Sequence, residues 1–589
     1  MSAMINTLDN VIPSQVGENG HLEYGWSKSF QELIMQYSFQ LTRTNKYEIE
    51  TLRGTLKSML SSLKRKMETV NVYEKEELKG YLSILYRMIG HTRDIIDGKG
   101  EYTLTYMMIY TWYDFYPELA KFALKCLVDL SVDNDTNEQN SKTIHQYGSW
   151  KDIKYFCNYC KCQGESTEYP LIKYAVELIN KQLREDNEAH IYGSNNISLV
   201  AKWIPREGSS FGWLYKIMAI DYFPEYMATA VNPYKTEKAI LKCKTKYRQM
   251  LSTLNNVIDT VQIKQCNHTW SNINFDKVTS ITLSKQKKSF LNIKKNGAVR
   301  YPENVDRIEC AENFNFHIEN TLNSKKEING KRVGMENFTK QAIELLRDKN
   351  NSRIEKMLLN SQWRDNSLQT NALGKMIAMV DVSGSMEGDP MNAAIALGIR
   401  IAEKSVLGKR VMTFSSNPTW VNLDGYDDFI SQVGILMNAQ WGMNTNFHAA
   451  LDLILDAIIL NKMPPEDVQD MVLVILSDMQ MDAGDGCNKQ VLYDTMKAKY
   501  EATGIRVHGK PYKPPHILFW NLRSTSGFPT LSNQPNVSMM SGFSPSILNL
   551  FCEQGMTSLE SSTPWALLQN SLENERYKIM SDKLYDFFN

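Results

Sequence analysis

The sequence has no apolar run long enough to cross a membrane, for which about 20 consecutive apolar residues are needed. Residues 1–25 contain no basic segment followed by an apolar stretch, so a secretory signal is not expected either. We therefore expect a non-secreted protein of the cytoplasm or nucleus, with no membrane partner.

Cysteine is scarce: the chain has 9 in 589 residues, and they are scattered. An odd, scattered set fits a reducing compartment better than a disulfide framework. Cys157, Cys160 and Cys162 lie close together, but no second Cys-x-x-Cys pair completes the four ligands of a structural zinc site. We do not expect zinc.

An excess of charge of either sign is also missing, because 66 basic residues face 66 acidic ones. Any surface for nucleic acid must therefore be a local patch. The Gly98-Lys99-Gly100 segment lacks the preceding strand and the spacing of a phosphate loop, which argues against nucleotide hydrolysis.

The chain is too long for one core and predicts a multidomain protein. Residues 1–26 are polar and are expected to be flexible. In residues 27–365 apolar side chains recur at helical spacing, which predicts an all-α, HEAT-like helical-repeat domain, built as an irregular solenoid or ring. From 366 to 589 strand-like runs at 376–380, 410–414, 471–476, 516–520 and 536–540 alternate with helical segments. That alternation predicts a doubly wound α/β domain with C-terminal helices.

An Asp-x-Ser-x-Ser motif follows the first of these strand-like runs. Asp381, Ser383 and Ser385 supply one carboxylate and two hydroxyls in a tight loop, and such hard oxygen ligands suit Mg²⁺ or another divalent cation such as Mn²⁺ or Ca²⁺. The alternative is that both serines only cap a turn before a helix with Pro390 in its first turn.

Two later segments follow in an order that resembles the metal-ion-dependent adhesion site of von Willebrand factor A domains. One is the 441–446 stretch before a helix, and the other is Ser477-Asp478 after a buried strand. The resemblance implies five ligands to one cation, with an open position for a partner's carboxylate: Asp381, Ser383, Ser385, Thr445 and Asp478. The usual Asp-Gly of that family is replaced here by Asp478-Met479.

Further segments extend the resemblance over most of the chain: 92–95, 98–101, 147–152, 202–206, 413–415 and 519–523. Together the segments resemble the TROVE-related, Ro autoantigen-like family of uncharacterised proteins, found in plants, fungi and large DNA viruses. The resemblance implies a helical-repeat ring that binds RNA, followed by a von Willebrand factor A domain. A viral source would add the virion to the expected locations.

Two sets of basic residues are candidates for RNA contacts. The first lies between 285 and 300, with Phe290 and Tyr301 nearby as stacking platforms: Lys285, Lys287, Lys288, Lys294, Lys295 and Arg300. The second lies in the family-like segments of the helical part: Arg93, Lys99, Lys151, Lys202 and Arg206. For both sets the alternative is a solvated surface or ordinary ion pairing.

These observations favour a non-enzymatic RNA-binding protein whose metal site binds an acidic ligand or protein partner. The alternative is a structural or assembly protein that uses the helical domain and the metal site for protein contacts. A metal-dependent hydrolase is disfavoured because none of the 9 histidines lies within the motif, and Glu387 and Asp389 suit a helix N-terminus. The oligomeric state stays open.

Overall fold

The computed structural model describes residues 13–130, 145–228, 230–348, 352–414, 417–438, 446–469, 471–481, 491–554 and 562–589. Within these ranges the N-terminal part is mainly helical, and a six-stranded mixed sheet with flanking helices forms the C-terminal part. At this level the predicted fold class is confirmed. No described helix is both long enough and apolar enough to span a membrane.

The helical part begins after two short strands, β1 (Ser14–Val16) and β2 (Leu22–Tyr24). Its helices follow as α1 (Phe30–Gln40), α2 (Lys46–Thr69), α3 (Val72–Arg93), α4 (Thr103–Tyr113), α5 (Pro117–Cys126), α6 (Lys151–Cys162), α7 (Pro170–Ile191), α8 (Val200–Trp203), α9 (Gly212–Tyr222), α10 (Pro224–Ala228), α11 (Pro233–Ile258), α12 (Val261–Cys266), α13 (Ser280–Phe290), α14 (Val305–Asn323), α15 (Met335–Arg347) and α16 (Arg353–Ser367). Asparagine caps several of them, as Asn45 does for the Glu48 amide at the start of α2.

The C-terminal part contains β3 (Met376–Asp381), α17 (Asp389–Lys404), β4 (Arg410–Phe414), β5 (Thr419–Asn422), α18 (Phe429–Met437), α19 (Phe447–Leu460), α20 (Pro465–Gln469), β6 (Val472–Ser477), α21 (Leu492–His508), β7 (His516–Asn521), β8 (Val537–Ser541), α22 (Asn549–Gln554), α23 (Pro564–Leu572) and α24 (Glu575–Phe588). The strand order is β5-β4-β3-β6-β7-β8. All neighbours are parallel except β4 and β5, so the predicted parallel sheet carries one antiparallel edge strand.

The two faces of this sheet belong to different cores, because successive strand residues point to opposite sides. Ile377 and Met379 join a core that continues through Phe39 and Leu85 of the helical part. The other face, with Val380, joins a second core. That second core includes Phe338 of α15 and Trp363 of α16, so helices before the predicted boundary at 365 also cover the sheet.

Of the N-terminal segment that we predicted to be flexible, residues 13–26 contain a paired hairpin, whereas residues 1–12 lie outside the described ranges. Strands β1 and β2 pair antiparallel, and Tyr24 exchanges two backbone hydrogen bonds of 3.0 Å with Phe528. The Glu23 side chain accepts hydrogen bonds from Gln15 and Gln480 at 2.7 and 3.1 Å. These hydrogen bonds hold the hairpin, and Tyr24 and Trp26 also pack against the core of the helical part.

Candidate metal centre

The centre of the sheet is a topological switch point. The chain leaves β3 towards β4 on one side, and it leaves the neighbouring strand β6 towards β7 on the other. In open sheets of this kind, ligands bind outside the carboxyl ends of the strands on either side of such a point. Here those ends carry Asp381, Ser477 and Asp478.

Asp381 is fully buried, and both of its carboxylate oxygens accept hydrogen bonds from neutral groups. The Ser383 amide donates to Oδ1 at 2.9 Å, and the Ser477 hydroxyl donates to Oδ2 at 2.6 Å. Among the described residues, Asp381 forms no ion pair with a basic side chain. A buried carboxylate without a counter-charge is costly, because neutral donors replace only part of its lost hydration.

The environment of Asp381 favours the protonated acid when no cation is bound. Burial, followed by the neighbouring carboxylate of Asp478, raises the pKa of Asp381 to about 7. Hydrogen bonds from Ser383 and Ser477 act in the opposite direction but are outweighed. A divalent cation would reverse this balance, since a nearby positive charge stabilises the carboxylate.

The two motif serines stand together beside Asp381. The Ser383 and Ser385 hydroxyl oxygens are 3.1 Å apart, on a short 3₁₀ turn over Gly384–Met386. Ser383 is buried and Ser385 is half-buried, whereas Gly384 is exposed. The loop is therefore accessible to solvent at Gly384 and in part at Ser385.

Asp478 is also fully buried, but it has a basic partner. Its Oδ1 accepts from the Gln480 amide at 3.1 Å, and its Oδ2 accepts from Arg523 Nη1 at 3.0 Å. Arg523 Nη2 is 3.7 Å from the carboxylate of Glu18 in the N-terminal hairpin. Arg523 thus compensates the charge of Asp478, whereas no basic side chain among the described residues compensates that of Asp381.

The fifth implied ligand, Thr445, lies outside the described residues. The neighbouring Asn446 caps α19 by accepting from the Ala449 amide at 3.0 Å. The Phe447 ring contacts the ring of Phe414 at 5.7 Å between centroids, and Phe414 pairs with Asp381 in the sheet. The start of α19 therefore lies at the same edge of the sheet as the Asp381 motif.

The described part of the chain contains no group of three or more His, Cys, Asp or Glu side chains arranged to hold a metal. The candidate centre instead combines two carboxylates with hydroxyls. Sequence reasoning placed Ser477 and Arg523 in the family-like segments but gave neither a role in the site. Ser477 ends β6 and Arg523 follows β7 at the carboxyl edge of the sheet, so the switch-point rule could have assigned them to the site. No sequence pattern indicated that Glu18 of the N-terminal hairpin lies near Arg523, because the two residues are far apart in the sequence.

Three residues of the predicted RNA surface are buried and paired within the protein. Arg93 donates to both oxygens of Asp152 at 2.7 and 2.9 Å. Lys99 donates to the Ser38 and Leu41 carbonyls and to the Ser541 hydroxyl at 2.9, 3.0 and 2.7 Å. Lys287 lies 3.6 Å from Glu355. A buried cation that already has partners cannot reach a phosphate, so we remove these three side chains from the proposed RNA surface.

The remaining candidates are accessible to different degrees. Exposed side chains are those of Arg206, Lys285, Lys294, Lys295 and Arg300, and half-buried ones are those of Lys151, Lys202 and Lys288. Of the two expected stacking platforms, Phe290 lies in the core, whereas Tyr301 is 47% exposed. Phe290 therefore cannot stack on a base.

Comparisons with known proteins match two separate ranges of the chain to family models. A family model described as "Domain of unknown function (DUF7788)" matches residues 375–583, and one described as "Domain of unknown function (DUF2828)" matches residues 158–366. The chain is also similar to "Uncharacterized protein L728" of Acanthamoeba polyphaga mimivirus. The two are 26% identical over 506 residues, which cover 83% of this chain and 79% of the relative. None of these descriptions states an activity.

Proposed function

We propose that this chain is a non-enzymatic binding protein that captures an acidic ligand through a divalent cation held at the Asp381 motif. The observation that carries this proposal is the fully buried Asp381 carboxylate, which has only neutral donors around it and two serine hydroxyls beside it. The strand order and the sequence of the three loops support a von Willebrand factor A-type domain. Mg²⁺ is the expected ion because every available ligand is a hard oxygen.

The charges around the centre favour an anionic ligand. Arg523 already compensates Asp478, so a divalent cation bound at the motif would be balanced by about one negative charge, that of Asp381. The ion would keep positive charge on its exposed side, where Ser385 and Gly384 reach solvent. A carboxylate from a protein partner would complete the shell and neutralise the site.

Calorimetric titration of the protein with MgCl₂ and MnCl₂ tests the metal site. We expect one site per chain in the wild type and no measurable binding in Asp381→Asn, which keeps the side-chain shape but removes the charge. Asp424→Asn is the matched control, because Asp424 is a carboxylate of the same part of the chain that pairs with Arg410 far from the motif in sequence. Equal binding by wild type and Asp381→Asn would exclude this centre.

We further propose that the helical part binds RNA, in line with the Ro-like resemblance. The specific observation is the segment 285–300, where Lys285, Lys294, Lys295 and Arg300 are exposed and form no ion pair with any residue that the structure describes. Four uncompensated cations within sixteen residues form the kind of local patch that follows a phosphate backbone.

Fluorescence anisotropy of a labelled structured RNA with a single-stranded 3′ end, titrated across salt concentrations, tests this second part. We expect binding that weakens steeply with salt, and a smaller salt slope in a Lys294→Gln, Lys295→Gln double variant. No binding at low salt would remove RNA from the proposal. The protein would then be better explained as an assembly protein whose helical part and metal site bind other proteins.

A further inference from the structure

One face of helix α6 carries basic and aromatic side chains at helical spacing. Lys151, Lys154, Tyr155 and Lys161 are accessible, whereas Ile153, Phe156, Cys157 and Cys160 on the opposite face are buried. From Lys151 to Lys161 this accessible face is about 15 Å long, at 1.5 Å per residue.

Aromatic rings from three other segments line this face. Lys151 Nζ lies 5.1 Å from the ring of Tyr102 and 5.2 Å from that of Tyr155. Lys154 Nζ lies 5.2, 5.6 and 5.7 Å from the rings of Tyr155, Trp203 and Phe211. We call the whole set the basic–aromatic strip; it also contains Lys202, 5.3 Å from the Trp203 ring, and Lys161, 4.3 Å from the Trp213 ring.

The buried Arg93 packs against Tyr102 at one end of the basic–aromatic strip. Its guanidinium lies 4.1 Å from the Tyr102 ring centroid while it donates to both oxygens of Asp152. Asp152 also accepts from the Tyr106 hydroxyl at 2.7 Å. The Tyr102 ring therefore packs on the buried Arg93–Asp152 ion pair with 36% of the residue exposed. Tyr155 is 38% exposed. Rings held in this way lose little freedom when a flat group stacks on them.

The positive charge of the basic–aromatic strip is not compensated within the part of the chain that the structure describes. Lys151, Lys154, Lys161 and Lys202 form no ion pair with a described carboxylate, and Asp152 on the same helix is buried against Arg93. Burial and the proximity of Lys151 lower the pKa of Lys154, so an anion placed here would relieve repulsion between the two ammonium groups.

We propose that the basic–aromatic strip binds single-stranded nucleic acid, with the lysines on phosphates and Tyr155 and Trp203 on bases. Alternating cations and accessible rings are the two components that sequence-tolerant single-strand binding requires. A duplex would offer phosphates to the lysines but no free base faces to the rings. This inference deepens the RNA-binding part of the proposed function and assigns it a site distinct from the 285–300 segment.

Fluorescence anisotropy of 5′-fluorescein decauridylate tests the site in the full-length chain, with a ten-base-pair RNA duplex as the second probe. We expect Lys154→Gln and Tyr155→Ala each to weaken decauridylate binding about tenfold. Lys154→Gln should also reduce the salt slope by about 0.7, the value for one lost phosphate contact on a single strand. Tyr155→Ala should leave the slope and the duplex affinity unchanged, because stacking involves no counter-ion.

Lys238→Gln and Tyr234→Ala are the matched controls. Lys238 Nζ lies 4.4 Å from the Tyr234 ring on α11, so these variants remove the same kind of pair from another surface. If the strip variants bind decauridylate as the controls do, the inference is overturned and RNA binding through 285–300 remains. If the wild type binds no RNA, both are overturned.

Photo-crosslinking of a 5-iodouridine-substituted oligonucleotide gives a measurement that does not depend on any variant folding. A crosslinked peptide containing Tyr155 or Trp203 would support the proposed site. Crosslinks confined to Tyr301 or other rings outside the strip would overturn it. Equal competition by polyglutamate of the same charge would also overturn it, since that result would indicate an acidic-peptide surface without base stacking.

Discussion

At the scale of single residues, two buried ion pairs contrast with Asp381. Arg93 with Asp152, and Asp94 with Arg576, form bidentate ion pairs in which each charge is matched. Asp381 is different, because its partners are the neutral donors Ser383 and Ser477 and the neighbouring carboxylate of Asp478. A fully buried carboxylate that lies beside a second carboxylate, with no basic partner among the described residues, marks a candidate functional site.

Asp381 should make the metal-free protein less stable as the pH rises. The carboxyl binds its proton more tightly in the folded protein, where its pKa is about 7, than in the unfolded chain, where it is near 3.8. The contribution of this group to the free energy of unfolding should therefore fall between about pH 4 and pH 7 and stay constant above that.

Asp381→Asn should accordingly raise the free energy of unfolding by about 2 kcal/mol at pH 8 in EDTA, because it removes an uncompensated buried charge. It should also abolish the stabilisation that MgCl₂ gives the wild type. Urea denaturation with and without the cation measures both effects. A variant that is less stable than the wild type in EDTA would contradict this account of the site.

At the scale of elements, the N-terminal hairpin packs against the loops of the candidate site. Gln480, two residues after Asp478, accepts from the Glu18 amide at 2.6 Å and donates to Glu23 at 3.1 Å. The same hairpin brings Glu18 close to Arg523. The hairpin thus braces the loop that carries the second carboxylate of the site.

Gly527→Ala should release this hairpin. A Cβ at Gly527 would lie 1.7 Å from the Glu23 carboxyl carbon, so the buried carboxyl would have to leave its place. We expect a loss of about 2 kcal/mol of stability and faster amide exchange in strands β1 and β2. Gly208→Ala is the control, because a Cβ there has no neighbour within 4 Å. Unchanged exchange in the hairpin of Gly527→Ala would contradict the bracing role.

The sequence predicted those elements whose apolar pattern is strong. Strands β3 and β6 are buried along their whole length, and their runs were located to within about a residue. Strand β5 was missed because Thr419–Asn422 is a short edge strand whose side chains are mostly accessible. The hairpin was missed because β1 and β2 have three residues each and depend on contacts with Phe528 and Gln480, which local sequence does not encode.

The candidate functional residues were also predictable only in part. Asp381, Ser383 and Ser385 form a contiguous motif, so the sequence alone predicted that these oxygen-bearing side chains lie together. The exposure of a lysine or arginine could not be predicted from the sequence. Arg93 and Lys99 are buried because segments distant in sequence pack over them. The basic–aromatic strip likewise depends on Trp203 and Phe211, which lie 49 or more residues from Lys154.

At the scale of the whole molecule, the two parts share a core and are held together by buried polar contacts. Lys99 of the helical part donates to Ser541 at the end of β8, and Arg576 of α24 donates to both oxygens of Asp94. Since one face of the sheet belongs to the core of the helical part, neither part can unfold without exposing the other. We expect one cooperative unfolding transition.

Lys99→Met should change how the stability of this junction depends on pH, because Lys99 is a buried amine that donates to the Ser38 and Leu41 carbonyls. Burial lowers the pKa of Lys99 from 10.5 to about 7. The folded protein therefore holds this proton less tightly than the unfolded chain, and the contribution of Lys99 to stability should rise from about pH 7 to pH 10. Lys99→Met should lack that rise.

Urea denaturation across this pH range measures the effect, and Lys285→Met, at an exposed lysine, is the control. A Lys99→Met variant that keeps the full rise with pH would show that Lys99 is not the buried amine of this junction.

The central claim is that a divalent cation binds at the carboxyl ends of β3 and β6. The most direct test is the anomalous difference density of crystals grown with MnCl₂. We predict one strong peak about 2.1 Å from a carboxylate oxygen of Asp381 and from the hydroxyls of Ser383 and Ser385, the distance that octahedral sites for small divalent cations require. Full-occupancy manganese elsewhere, with Asp381 bound only to Ser383 and Ser477, would contradict the account.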